Sequence, residues 1–269
     1  MPLPPVPRFN LLGTGISAVN LSTAEAAVLA ALKQRDRACV STADVRAVSL
    51  AAEDPEFRLR LNNSLLTTPD GMPLVWLGRL LGHRSVGRVY GPDLMLSLCA
   101  ATAGTAHAHF FYGGAPGVAE ALAARLQQRF PGLRIVGAVA PPFRALTDAE
   151  EAVLVARVAA AKPDLFWVGL GLPERERFMA QMLPRFEPMV MLGVGAAFDL
   201  LSGRVRQAPR WIQRSGFEWL FRLGLEPRRL APRYFRHLPR FILGVSAQLT
   251  GLRKFPSSRT QADDPCLRS

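Results

Sequence analysis

Four short apolar segments of the chain each end in a turn, or corner, that contains glycine. These turns are the first candidates for a ligand-binding or catalytic site. They read Pro69-Asp70-Gly71, Gly113-Gly114, Gly169-Leu170-Gly171 and Gly193-Val194-Gly195. In an open α/β sheet, ligands bind beyond the carboxyl ends of the strands. There, glycine lets the backbone approach a phosphate, and the next helix offers free N–H groups. Together the corners fit a nucleotide or sugar-nucleotide site, with candidate binding positions at Gly71, Gly114, Gly169, Gly171 and Gly195. Each corner alone is equally typical of an ordinary tight turn.

Asp70 is the carboxylate of most interest, because it follows an apolar segment and precedes a predicted helix. A carboxylate held there would face the cleft and could act as a general base. The spacing alone favours a plainer interpretation, an Asp-Gly turn or a helix cap. Asp93 and Asp199 also follow glycine-containing corners, and each could face a ligand or only cap a helix.

Missing patterns exclude several common site types. No GxGxxG fingerprint follows a predicted strand and no GxxxxGK[ST] motif occurs, which argues against a dinucleotide oxidoreductase and a P-loop NTPase. The three cysteines, Cys39, Cys99 and Cys266, are far apart and form no disulfide or zinc pattern. His107 and His109 alternate in a strand-like segment, where packing is favoured over metal binding. No metal site is predicted.

The elements that must position these residues follow from the alternation of β-rich runs with helical segments. Strands are predicted at 38–41, 65–68, 109–112, 134–138, 165–168 and 189–194. Helices are predicted at 23–34, 43–50, 72–81, 116–130, 149–161 and 174–185. This order predicts an α/β fold, a Rossmann-like open and mostly parallel sheet with helices on both faces.

The charge of the chain is concentrated near its C-terminal end. The formal net charge is +12, and residues 203–240 hold ten arginines against two acids, a net charge of +8. Such a segment could bind nucleic acid, lie on an anionic bilayer or form a solvated helical face. The interleaved Trp211 and Trp219 favour the bilayer. The candidate contact residues are Arg206, Arg210, Trp211, Arg214, Trp219, Arg222, Arg228, Arg229 and Arg233.

Composition also divides the chain of 269 residues into three parts. Residues 1–202 are predicted to form the α/β core, 203–255 a basic helical appendage and 256–269 a disordered tail. No window approaches the roughly 18 apolar residues of a spanning helix, and the N-terminus carries no signal pattern. We therefore expect a cytoplasmic protein that does not cross the membrane.

Several stretches, in order along the chain, resemble the WecG/TagA/CpsF family of bacterial glycosyltransferases. They include TPDGMPLVWLGRLLG, RVYGPDLM, WVGLGLPERERFM and the long block that begins GVGAAFDLLSGRVRQAPRWIQ. The resemblance spans roughly residues 9–241. It implies an inverting, metal-independent transfer from a UDP-sugar to an undecaprenyl-diphosphate-linked saccharide at the inner face of the cytoplasmic membrane. The transferred sugar could be N-acetylmannosamine, its uronic acid or glucose, and the product would feed cell-surface polysaccharide synthesis.

The resemblance also implies roles for single residues. Asp70 takes the place of the proposed general base, and Arg88, followed by Gly91 and Asp93, takes that of a diphosphate contact. The family's Thr-x-Asn is matched by Thr42 and Asp44, so an acid replaces the amide. In the family's GLGxPxQE segment, Arg175 replaces the glutamine before Glu176. An arginine there could pair with a diphosphate or a sugar carboxylate.

Two other functions stay open at this stage. The basic segment would also suit a nucleic-acid-binding module, although no nucleic-acid partner is favoured. The changes at Asp44 and Arg175 would also suit a catalytically inactive scaffold. If the appendage completes the site only at the membrane, a homo-oligomer could bury the apolar face of the appendage between copies when no membrane is bound.

Overall fold

The computed structural model describes residues 6–257, without the side chains of Arg214 and Arg229. The predicted tail lies outside the described residues from position 258 onward. Within residues 6–257 there are eight strands, β1 to β8: Arg8–Leu11, Thr14–Ser17, Ala38–Ala43, Leu66–Pro69, Ala108–Gly113, Arg134–Val139, Leu165–Gly169 and Val190–Gly193. The α-helices of the described part are α1 to α12: Leu21–Gln34, Val45–Glu53, Pro55–Asn63, Met72–Leu80, Gly91–Thr102, Val118–Arg129, Asp148–Ala161, Glu174–Met182, Ala197–Leu201, Arg210–Ser215, Glu218–Leu225 and Pro227–Leu249.

Six of the strands form one parallel sheet in the order β4-β3-β8-β7-β5-β6, and β1 and β2 form a separate antiparallel hairpin. All five pairings in the large sheet are parallel. Because parallel strands need crossover connections, the chain places helices between them. The predicted fold class is confirmed.

Apolar side chains are buried on both faces of the sheet. One core joins α1, α5 and α6 to sheet residues that include Phe111 and Trp167. The opposite core joins α7 and α8 to Phe110, Phe166 and Met191. Consecutive residues of one strand, such as Phe110 and Phe111, therefore enter opposite cores, as expected for a strand buried on both sides.

Local sequence explains where the helices begin. Asp44 and Asp54 cap α2 and α3, because their carboxylates accept the backbone N–H groups of Ala47 and Phe57. For α1, Asn20 is the cap, and its side chain accepts the backbone N–H of Thr23.

Three capping hypotheses are wrong. Asp93 and Asp199 lie inside the first turns of α5 and α9, where N–H groups lack intrahelical acceptors and a negative charge is favourable. Asp70 is no cap either, since α4 is capped by Gly71 without a side-chain hydrogen bond.

The C-terminal residues form α10, α11 and α12. Helix α12 packs on α2, and Phe241 and Val245 join a third core with Ala47 and Val48. Among residues 6–257, no helix is both long and apolar enough to span a membrane.

Candidate active site

A cleft of about 1140 Å³ opens at the carboxyl edge of the sheet. The last residues of β3, β4, β5 and β7 point into the same region because parallel strands end on one side. Eleven of the predicted catalytic and binding residues line it: Thr42, Asp44, Asp70, Gly71, Arg88, Gly114, Gly169, Gly171, Arg175, Gly195 and Asp199. Trp219, Arg222 and Arg233, which were predicted to contact a bilayer, line this cleft as well. The opposite wall is built by α11 and α12, which supply Glu218, Tyr234 and His237.

Asp70 lies directly after β4, where its backbone N–H donates to the carbonyl of Ala43 at 2.9 Å. Its side chain is 26% exposed, but Oδ1 is sealed from solvent and has no hydrogen-bond partner within the described part of the chain. The nearest cation, Arg88 Nη2, stands 3.8 Å from Oδ1, which is an ion pair without a hydrogen bond.

This environment changes the proton affinity of Asp70. Burial is the largest cause and raises its pKa to about 7, Arg88 opposes the shift, and the negative charges of Asp44 and Glu218 add to it. A carboxylate with a pKa near neutrality accepts a proton far more readily than an ordinary aspartate. The geometry therefore suits general-base chemistry.

Arg88 is held by three acceptors from two parts of the chain. Its Nε donates to the carbonyl of Asp70 at 2.5 Å, and Nη1 donates to the carbonyl of Gln213 at 3.1 Å. Nη2 donates to Glu218 Oε2 at 2.6 Å, while the hydroxyl of Tyr90 donates to Glu218 Oε1 at 2.8 Å. The guanidinium also lies 4.1 Å from the centre of the Tyr90 ring. Arg88 thus joins Asp70 to α11.

Arg175 lies under the cleft floor between β3 and β8. Its side chain is 4% exposed, and its Nη2 donates to the carbonyl of Thr42 at 2.8 Å. Nε donates to Glu176 Oε1 at 2.8 Å, and Thr42 Oγ1 donates to the carbonyl of Gly193 at 3.0 Å. The Arg175 guanidinium therefore binds the end of β3 and the Glu176 carboxylate. Burial raises the pKa of Glu176.

The glycine corners let the strand ends approach one another. A side chain at Gly113, where φ is +144°, would stand 2.5 Å from the backbone of Gly169. At Gly114, where φ is +74°, a Cβ would stand 2.7 Å from Val118. These two positions accept only glycine without a local shift. The open space beyond them becomes part of the cleft.

Some predicted residues lie outside the cleft lining. Glu176 is buried behind Arg175, and Gly91 packs against the carbonyl of Val194. Asp93 pairs with Arg210 at 3.7 Å and so connects α5 to α10. Arg206, Arg210, Trp211 and Arg228 are exposed on the outer surface, and the side chains of Arg214 and Arg229 are among the groups not described.

Sequence reasoning missed Tyr90, Gln213, Glu218 and Tyr234 as site residues. Tyr90 stands between Arg88 and Gly91 in the RVYGPDLM stretch, so its neighbours already pointed to it. Glu218 is one of only two acids among ten arginines. An isolated acid in a basic segment can be noticed in the sequence. Its pairing with Arg88, 130 residues earlier in the chain, cannot be inferred from the sequence.

Known proteins are similar in sequence to this chain over most of its length. A family model described as the glycosyl transferase WecG/TagA/CpsF family matches residues 9–255. A relative from Bacillus subtilis strain 168, named N-acetylglucosaminyldiphosphoundecaprenol N-acetyl-beta-D-mannosaminyltransferase, is 30% identical over 74% of this chain and 75% of its own. Proteins of the same name from Bacillus spizizenii and Staphylococcus aureus NCTC 8325 are 29% and 26% identical, over 80% of this chain and 80% and 82% of their own. The chain therefore belongs to the WecG/TagA/CpsF family and is a glycosyltransferase.

Proposed function

We propose that this protein transfers an N-acetylmannosaminyl residue from a UDP-sugar to undecaprenyl-diphosphate-linked N-acetylglucosamine. Family membership and the names of the relatives support this choice of sugar and acceptor. The observation that carries the chemistry is the Asp70 carboxylate, which lines a cleft of about 1140 Å³, stands 3.8 Å from Arg88 without a hydrogen bond to it, and has a pKa raised to about 7 by burial.

The proposed step is a single displacement that inverts the anomeric centre. Asp70 accepts the proton of the acceptor hydroxyl as that oxygen forms a bond to the anomeric carbon. On the opposite face of the sugar, the bond to the diphosphate oxygen breaks and UDP leaves with the electron pair. Arg88 and Arg222, both in the cleft lining, supply positive charge for the departing diphosphate.

We propose that the reaction needs no bound metal, because these arginines and the free N–H groups at the glycine corners can stabilise the leaving group. The expected result is a transfer rate that stays within about twofold when EDTA replaces added divalent cations. A rate that collapses in EDTA and returns with Mg²⁺ or Mn²⁺ would contradict this part of the proposal.

We also propose that the protein works at the inner face of the cytoplasmic membrane, with the C-terminal helices against the bilayer. Large apolar side chains stand exposed among their arginines: Trp211 (71%), Phe217 (59%), Leu220 (51%) and Phe235 (77%). Apolar insertion combined with arginines at the headgroup level is the usual mode of an interfacial helix. Such docking would bring a lipid-linked acceptor to the cleft.

UDP release tests the proposal directly. The protein is mixed with a synthetic polyprenyl-diphosphate-linked N-acetylglucosamine in anionic vesicles and, in turn, with UDP-N-acetylmannosamine, its uronic acid and UDP-glucose. We expect turnover of the first donor, a loss of at least 10²-fold in Asp70→Asn, and no loss in Asp148→Asn, which changes an exposed carboxylate on α7. Turnover of another donor instead would show that the transferred sugar is not N-acetylmannosamine. Silence with every donor, although the vesicles are bound, would refute the activity and favour an inactive scaffold.

A further inference from the structure

Glu218 is a buried acid that the reaction itself does not use. It opens α11, its side chain is only 10% exposed, and both of its oxygens contact residues of the core. Oε2 accepts from Arg88 Nη2 at 2.6 Å, and Oε1 accepts from the Tyr90 hydroxyl at 2.8 Å. Hydrogen bonds to both oxygens fix the carboxylate in place, so it acts as a defined charge beside the cleft.

The contact with Glu218 fixes the position of the Arg88 guanidinium relative to Asp70. The same Nη2 atom that stands 2.6 Å from Glu218 stands 3.8 Å from Asp70 Oδ1. A guanidinium could otherwise make a close, bidentate pair with Asp70. Glu218 and the carbonyl of Gln213 take up the two terminal nitrogens of Arg88, and Oδ1 of Asp70 is left without a hydrogen bond.

We propose that Glu218 is a positioning residue for the transfer reaction: by holding Arg88 away from Asp70, it keeps the Asp70 carboxylate free to take the acceptor's proton. This inference rests on the proposed role of Asp70, and it adds a residue that this role does not require.

The other charges around Asp70 must be considered with Glu218. Asp44 at the start of α2 faces it as a second negative charge, and Arg222 on α11 faces it as a second positive charge next to Arg88. Removal of the Glu218 charge leaves one acid against two arginines near Asp70. The Glu218→Gln substitution therefore favours the ionised form of Asp70, both through the lost repulsion and through an Arg88 that can move closer.

The test is the pH dependence of transfer, with kcat and KM measured separately for the full chain. In Glu218→Gln we expect the acidic limb of the kcat profile to move down by about one pH unit and the plateau to fall at least tenfold. Glu218→Asp, which keeps the charge, should restore much of the loss. Tyr90→Phe removes one hydrogen bond without removing the charge, so it should leave the position of the acidic limb nearly unchanged. An unmoved limb in Glu218→Gln, with an effect on KM or stability alone, would overturn the proposal.

A second measurement does not depend on activity. In protein carrying ¹³C-labelled aspartate, one carboxyl resonance should titrate near pH 7 in the wild type and be absent in Asp70→Asn. It should titrate at least 0.5 pH unit lower in Glu218→Gln. If that shift occurs in a protein that transfers no sugar, the link between Glu218 and Asp70 stands and the proposed function fails. If the resonance does not shift, the positioning role fails whatever the activity.

Discussion

At the scale of single residues, the burial of Asp70 suits proton transfer but lowers the stability of the fold when the carboxylate is ionised. Burial raises its pKa to about 7 from an ordinary value of 3.8, so the folded state binds a proton more tightly than the unfolded state does. This residue's contribution is therefore intact below about pH 4 and is lost as pH rises toward 7. A neutral substitute should remove that penalty.

We expect Asp70→Asn to be inactive but more stable than the wild type at alkaline pH. A shift of about three pKa units corresponds to about 4 kcal/mol at most, so the gain should be about 2 kcal/mol at pH 8 and close to zero at pH 4. Denaturant unfolding at both pH values measures it. Equal stability of the two proteins at pH 8 would mean that the carboxylate is not strained by burial.

Arg175 illustrates a different residue-scale problem, a buried charge with one acidic partner. Its side chain and that of Glu176 are 4% and 1% exposed. The removal of one member of a buried pair leaves the other unpaired and costs about 3–5 kcal/mol. Since burial already raises the pKa of Glu176, the penalty should shrink at low pH, where this acid is protonated.

We therefore expect Arg175→Met to lower the free energy of unfolding by about 3 kcal/mol at pH 8 and by clearly less at pH 5. The double variant Arg175→Met/Glu176→Met should recover most of the loss, because neither partner is then left charged. Recovery that fails in the double variant would show that packing, rather than the unpaired acid, accounts for the loss.

At the scale of elements, the strand ends meet only because glycine occupies them. Gly113 and Gly117 both have positive φ angles, +144° and +83°, but only a Cβ at Gly113 would collide with neighbouring backbone. Backbone strain alone costs about 1–2 kcal/mol, whereas a collision forces β5 and β7 apart. Gly113→Ala should therefore lower stability by more than 3 kcal/mol, and Gly117→Ala by about 1 kcal/mol. Thermal unfolding of the two variants makes the comparison, and equal losses would contradict the close approach of the strands.

The parallel sheet was predictable because its signals are local. Three of its six strands, such as Leu165–Gly169, are short apolar runs that end at glycine, and crossover helix α7 begins at a capping box formed by Thr147 and Glu150. Asp93 and Asp199, which were considered as helix caps, lie instead inside the first turns of α5 and α9. Such boundaries depend on which backbone N–H groups are left free, which composition does not reveal.

The candidate site was predictable on one side only. Asp70, Arg88 and the glycine corners belong to strands and loops whose order can be inferred, and the structure brings them together around one cleft. The opposite wall, with Glu218 and Tyr234, depends on how α11 and α12 fold back onto the sheet. That arrangement is set by long-range packing, such as Phe241 and Val245 against Ala47, which leaves no local sequence pattern.

At the scale of the whole molecule, the distribution of charge and apolar surface favours attachment to a membrane. Residues 203–240 carry +8 of the net +12, which leaves +4 for the rest of the chain. Each basic residue near an anionic surface contributes about 1 kcal/mol, and that contribution decreases with salt. Arginines alone would then give binding that salt abolishes, whereas inserted aromatic residues would leave a part that salt does not remove.

Trp211 should supply much of that second part, because it is 71% exposed between arginines on α10. We expect Trp211→Ser to weaken binding to anionic vesicles about tenfold at high salt, since about 1.4 kcal/mol is less than the full burial of a large apolar side chain. Val153→Ser changes a residue of similar exposure, 68%, on α7 and should leave binding unchanged. Vesicle sedimentation at low and high salt separates the salt-dependent binding through arginines from the salt-resistant binding through inserted aromatic residues. If both variants bind like the wild type at every salt concentration, the bilayer does not contact α10. The arginines would then attract the vesicles without insertion of apolar side chains from this helix.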